Sequence, residues 1–159
     1  MNQAIYAIYI AESAGKEMQE VSSANLVPGK GIEGDRYYKE TGTFSEQLKG
    51  KAHVELTLIQ KEAIDAFNEE FEQSHAYSDF RRNIVTTGVS LNELVGEVFT
   101  VGDVSLKGIK LCEPCKHLAE TVNSLFLPHM IGRSGLRAQI LSSGKIHKGD
   151  SVSAEIFEL

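Results

Sequence analysis

Seven short apolar segments recur along the chain, separated by stretches rich in glycine, aspartate, asparagine and lysine. The first, Ala4 to Ile10, is aliphatic or aromatic on both faces, the pattern of a buried strand. From His53 to Ile59 the phase alternates, with Val54, Leu56 and Leu58 on one side and His53, Glu55 and Thr57 on the other. Ile84–Thr86, Val98–Val101, Val104–Leu111, 136–141 and 151–157 complete the set, with Gly102-Asp103 as a tight turn inside a hairpin. Within 104–111 the apolar phase slips at Gly108, from Val104 and Leu106 to Ile109 and Leu111, which predicts a β-bulge.

Helical spacing is confined to two places. Ile64, Phe67 and Phe71 predict a helix over 61–73, with Glu69, Glu70 and Glu72 on its solvated side. Leu118, Val122, Leu125 and Phe126 predict a second over Lys116–Phe126, stopped by Pro128. Leu91 to Leu94 reads as a turn or helical stub, and Gly144 to Asp150 as a turn segment. Many short strands and few helices predict a mainly β fold, a closed or partly closed barrel in a single domain over 1–159.

Composition narrows the partners. The 159 residues are 42% hydrophobic and 24% charged with a net charge of −6, which argues against a broad basic field for nucleic acid. The apolar run from Ala4 to Ala11 is too short to span a bilayer, and no Lys or Arg precedes it as in a signal peptide. Two cysteines three positions apart suit a reducing compartment, so the expectation is a soluble cytoplasmic protein that does not engage membranes.

The candidate chemistry lies in how the arginines are distributed. All five fall in three segments, Gly34-Asp35-Arg36, Arg81-Arg82-Asn83 and Gly132-Arg133-Ser134-Gly135-Leu136-Arg137, while the lysines are scattered. Guanidinium forks bind phosphate or carboxylate in a bidentate way, and exposed backbone N–H groups beside glycine can join them. Against this stands ordinary pairing of an arginine with Asp35, Asp79 or Glu93, and Asp35/Arg36 read simply as a salt bridge fixing its loop.

Both thiols lie in Cys112-Glu113-Pro114-Cys115. Cys115 opens the predicted second helix, where backbone N–H groups acidify a thiol, whereas Cys112 ends a strand and suits a small buried hydrophobe. A zinc set of Cys112, Cys115, His117 and His129 and a thioredoxin-type redox pair are the competing uses. The first lacks a second Cys-x-x-Cys and the second lacks a βαβ setting near the motif.

Taken in order, these segments resemble the MOSC domain, the module that forms the C-terminal part of eukaryotic molybdenum cofactor sulfurases and also exists as small stand-alone bacterial proteins. The stretches that carry the resemblance are Gly31 to Arg36, Val54 to Ile59, Arg81 to Val89 and Leu94 to Phe99. Cys112 to Cys115, Gly132 to Arg137 and Gly149-Asp150 continue it, so that it covers about 25–155. One departure is Tyr37, where many relatives have histidine.

The resemblance implies a β-barrel like the small domain of pyruvate kinase, with two or three short helices. It implies a molybdenum–pterin cofactor held by Arg36, Arg81, Arg82, Asn83, Arg133, Ser134 and Arg137. Cys115, which follows a proline as the family cysteine does, is implied to ligate the metal or carry sulfur. Implied activities are sulfur delivery or reduction of N-hydroxylated compounds. No pyridoxal-phosphate desulfurase, ferredoxin or flavin region is recognisable in the 159 residues, so a separate protein is expected to donate sulfur or electrons. The alternative is a non-catalytic module that binds a phosphorylated small molecule and uses its cysteines structurally.

Overall fold

Eleven strands and one α-helix form among the residues that the computed structural model describes, which are 3–13, 16–36, 38, 55–112 and 132–154. The first four strands are β1 (Ala4–Ile10), β2 (Gln19–Val21), β3 (Ser23–Val27) and β4 (Gly31–Ile32). Next come β5 (Leu56–Gln60), the helix α1 (Lys61–Glu70), β6 (Ile84–Thr87), β7 (Val98–Val101) and β8 (Val104–Leu111). The last are β9 (Leu136–Ile140), β10 (Gly144–His147) and β11 (Val152–Ala154).

Eight strands make one sheet in the order β11-β7-β8-β9-β5-β6-β1-β2, and β10-β3-β4 make a second. Pairing is antiparallel except between β5 and β6, the two strands that α1 connects. A parallel neighbour needs a crossover of this kind, since a hairpin can only reverse direction. The large sheet curls until the start of β1 meets the chain at β11. Ala4 bridges Ser151, Ile5 N–H donates to Asp150 O at 2.9 Å, and Val152 N–H donates to Gln3 O at 3.0 Å. The expected mainly β, barrel-like architecture is found.

One row across the sheet shows how the alternating pattern fills the interior. Ile8 pairs with Ile84, Ile84 with Leu58, Leu58 with Leu136, and Leu136 with Leu111. Four of these are fully buried, and Leu111 packs against the same cluster, together with Phe99, Leu106 and Ile140. The opposite face is covered by α1, whose Ile64 and Phe67 pack on Ala7, Tyr9, Ile59 and Val85. Glu69, Glu70 and Glu72 are exposed, as the helical spacing requires.

The differences from the sequence pattern are local. The helix stops at Glu70 rather than residue 73; Phe71 caps it by donating to Phe67 O at 3.1 Å, and Glu72 takes a positive φ of 52°. Residues 91–94 form a 3-10 turn, as does Tyr77–Phe80. Gly144–His147, expected as part of a turn segment, is strand β10 because it pairs with β3 in register from Gly144↔Leu26 to His147↔Ser23. The bulge expected at Gly108 is present, as a register shift between Gly108 and Lys110 opposite β9. His53, Val54, the expected helix over 116–126 and the tail of the expected strand 151–157 lie outside the described residues.

Candidate anion site at one end of the sheet

Next to the aliphatic row lies a polar one, on the outer face. Tyr9 N–H donates to Asn83 O at 2.6 Å, Asn83 brackets Thr57, Thr57 pairs with Arg137, and Arg137 pairs with Lys110. This row and the loops beyond it hold most of the residues singled out from the sequence.

Asn83 is fully enclosed and its side chain serves the fold. Its Oδ1 accepts from Thr57 N at 3.0 Å and Thr57 Oγ1 at 3.2 Å, and its Nδ2 donates to Tyr9 O at 3.1 Å. The amide thus joins β1, β5 and the entrance of β6 where their ladders start. That requirement for one donor and two acceptances on neighbouring strands suits an amide in a way an apolar side chain cannot match.

Asp35 and Arg36 form the salt bridge that one reading of the loop anticipated. Asp35 Oδ1 accepts from Ala11 N at 3.0 Å and from Arg36 Nη1 at 3.1 Å, and both side chains are almost wholly buried. Arg36 Nη2 then donates to the carbonyl of Arg81 at 3.0 Å. Arg81 has φ 58° and ψ 36°, a left-handed conformation uncommon for a residue with a side chain. Its own Nη1 donates to Lys16 O at 2.7 Å. Arg36 and Arg81 therefore tie the Asp35 loop, the chain at Lys16 and the entrance of β6 together.

Arg82 is oriented differently. Its Nε donates to Ser134 O at 2.8 Å, bringing the second and third arginine segments together across 52 positions of sequence. Among the described residues its terminal nitrogens have no hydrogen-bond or ion-pair partner. Gly135, beside Ser134, has φ 103°, and a Cβ there would overlap the carbonyl oxygen of Leu58. Only glycine lets this loop lie against β5 so closely. Gly135 O in turn accepts from Cys112 N at 2.8 Å, which attaches the cysteine segment to the same place.

Arg137, at the second position of β9, is half-buried, and its Nε is sealed from solvent with no hydrogen-bond partner among the described residues. A buried guanidinium N–H without an acceptor is costly, so this atom marks a place where an acceptor is wanted. Arg133 points elsewhere. It is half-exposed and lies 3.6 Å from Glu70 at the end of α1. Ser134 is buried, with its carbonyl engaged by Arg82.

Of the two thiols, Cys112 is described and is buried, in the manner of a small hydrophobe. Cys115, His117, His129 and Tyr37 lie outside the described residues. Among the described residues no three His, Cys, Asp or Glu side chains cluster as a metal site, and no helix is long and apolar enough to cross a membrane.

One residue of this end of the sheet carried no signal in the arginine pattern. Lys110 pairs directly with Arg137. The phase slip at Gly108 was the clue that could have placed it on the outer face.

The architecture so far defines a class: a curled, mainly antiparallel β-sheet whose glycine- and arginine-bearing loops gather at one end. A family model, the MOSC domain, matches residues 45–153, and the chain belongs to that family. The structure is similar to the YuaD protein of Bacillus subtilis, with a TM-score of 0.78 and 16% identity over 96% of this chain and 94% of that one. It is also similar to YiiM of Geobacillus stearothermophilus, with a TM-score of 0.70 and 13% identity over 96% of this chain and 74% of that one. For YiiM of Escherichia coli the TM-score is 0.64 and the identity 18%, over 97% and 69% of the two chains. At such identities the likeness is one of fold. No curated protein matches the chain.

Proposed function

We propose that this protein binds the molybdenum–pterin cofactor at the end of the sheet where Arg82, Ser134 and Arg137 converge. Membership of the MOSC family motivates the reading. The single observation that carries it is the buried Arg137 Nε without an acceptor, next to an Arg82 whose terminal nitrogens are unengaged among the described residues. The donors fit the group, since a phosphate supplies several acceptor oxygens to two guanidinium forks. Gly132 to Gly135 allows a ligand to approach the backbone.

Within this reading the roles divide. Arg82 and Arg137 bind the oxyanion, with Ser134 holding Arg82 in place. Arg36 and Asn83 position rather than bind, because the side-chain groups described above are engaged with the protein itself, while Arg81 holds the chain at Lys16 through Nη1. Arg133, paired with Glu70 at the rim, can swing to the ligand at small expense, since exposed ion pairs are weak. Cys115 is the sulfur carrier or the metal ligand. When bound, the cofactor would supply a soft metal with accessible oxidation states, which suits a thiolate and either sulfur transfer or reduction of N-hydroxylated compounds. A separate cytoplasmic protein donates sulfur or electrons.

Protein purified from a cofactor-competent host is expected to carry near-stoichiometric molybdenum and phosphorus, with both strongly reduced in Arg82→Ala and Arg137→Ala. Cys115→Ser is expected to lose molybdenum or a persulfide detectable by mass. Wild-type protein free of molybdenum and pterin would remove the reading.

A second reading rests on the burial of Cys112 and on an anion site whose described groups include no thiol. In it the chain is a binding module for a phosphorylated small molecule, and its cysteines are structural. Alkylation of Cys115 without change in ligand affinity would favour this version.

A further inference from the structure

The bulge on β8 decides where Lys110 goes. Val104 and Leu106 are fully buried in the interior, and Gly108 follows them in the same phase. In an unbroken strand residue 110 would come next on the inside, and Leu111 would face out. Instead Gly108 stands opposite Ala138 and Lys110 opposite Arg137, so Ile109 is the extra residue. Leu111 is thereby returned to the interior row opposite Leu136, and Lys110 is placed on the outer face, exposed, beside Arg137.

This arrangement is unfavourable unless something lies between the two charges. Directly opposed residues on an antiparallel ladder share a face, with Cβ atoms about 4.5–5.5 Å apart, and like charges there repel. The chain has 22 acidic residues against 16 Lys and Arg. Yet among the described residues neither Lys110, nor Arg137, nor the nearby Arg82 has a carboxylate partner, whereas the Lys61, Arg133 and Lys148 side chains each do. Three cations without a carboxylate partner among the described residues therefore lie at one end of an acidic protein, one of them with a sealed guanidinium N–H that has no acceptor among those residues.

We infer that Lys110 is a ligand-binding residue: with Arg137 it forms a two-cation cradle for a phosphate-type dianion, flanked by Arg82. The guanidinium fork fixes the orientation of the dianion, and the ammonium group adds a mobile point charge from the open side. The bulge is the device that supplies the second cation, in keeping with the way such irregularities re-aim side chains at sites. This inference rests on the proposed anion-binding role of Arg82 and Arg137 but requires neither metal nor pterin.

The test uses the full-length protein with 15N-labelled arginine. Inorganic phosphate and methyl phosphate are titrated separately while the Nε–H resonances of Arg82 and Arg137 are followed. Both resonances are expected to shift saturably in wild type. Lys110→Gln should weaken binding about tenfold, the loss of one charge-assisted contact, and Lys110→Arg should restore most of it. Lys107→Gln, two pairs further along the ladder opposite Gln139, should leave binding unchanged. Tighter binding of methyl phosphate identifies an esterified ligand, tighter binding of inorganic phosphate a free one, and either supports the cradle. If wild type responds and Lys110→Gln binds as well as wild type, the Lys110 inference is overturned while the arginine site stands. If the arginine resonances of wild type do not respond, both fall.

Discussion

Glu55 stands immediately before β5, and its carboxylate is almost entirely buried. Oε1 accepts from Gly29 N at 2.7 Å, which anchors the turn between β3 and β4 to the large sheet, while Oε2 has no hydrogen-bond partner among the described residues. Burial pushes the carboxyl pKa above the ordinary glutamate value, and the N–H groups of Gly29 and Ile140 partly oppose this. A raised folded-state pKa means that the folded protein holds the proton more tightly than the unfolded chain. The stabilisation is therefore full below the ordinary carboxylate range and is lost as pH rises through the raised value. Glu55→Gln keeps the acceptor for Gly29 and removes the buried charge. Its melting temperature should exceed that of wild type by a few degrees at pH 7, and the two should converge on acidification. A thermal-unfolding series from pH 4 to 8 checks this, and equal melting temperatures at pH 7 would refute it. The outward phase of Glu55 was visible in the alternation of 53–59. Its burial was not, because the cover comes from a turn 26 residues earlier.

At the scale of elements, the strands that were legible are those with enough apolar residues to show a period, and β8 was legible down to its bulge. The missed strands β2, β3, β4 and β10 are short, and β10 buries one side chain only, Ile146. β10 exists because β3, about 120 positions away, completes its ladder, and no local window carries that information. The bulge also has a packing requirement. Gly108 N donates to Glu97 O at 3.0 Å, its carbonyl accepts from Gly96 N at 2.8 Å, and a Cβ would overlap Leu94 O. Gly108→Ala must displace either β8 or the 91–94 turn, so a loss of about 1–3 kcal/mol in chemical denaturation is expected. The displacement should weaken phosphate binding as well, since Lys110 lies two residues on. Unchanged stability would show that the turn yields freely.

On the scale of the whole molecule, curling of the large sheet brings together loops that are distant along the chain. Arg36 meets Arg81, Arg82 meets Ser134, and Gly135 meets Cys112. A ligand that binds only this assembled arrangement must stabilise it by mass action, by about 2.7 kcal/mol at a hundredfold excess over Kd. Phosphate should accordingly raise the melting temperature of wild type in a concentration-dependent way, and a double variant Arg82→Ala/Arg137→Ala should show no such rise. A rise of the same size in the double variant would place the anion elsewhere.

By itself the sequence determined the period of each longer strand, the position of the bulge, the helix over α1 and the restriction of arginine to three short segments. These follow from local chemistry: side-chain alternation, turn residues and the phase of apolar positions. Only the tertiary structure decided what each arginine does. Arg36 is engaged with Asp35 and a backbone carbonyl and Arg133 with Glu70, whereas Arg82 and Arg137 retain donors without a described partner. The physical reason is that a guanidinium group has the same five donors wherever it occurs. Which acceptors reach them depends on strand pairings that no neighbouring residues encode.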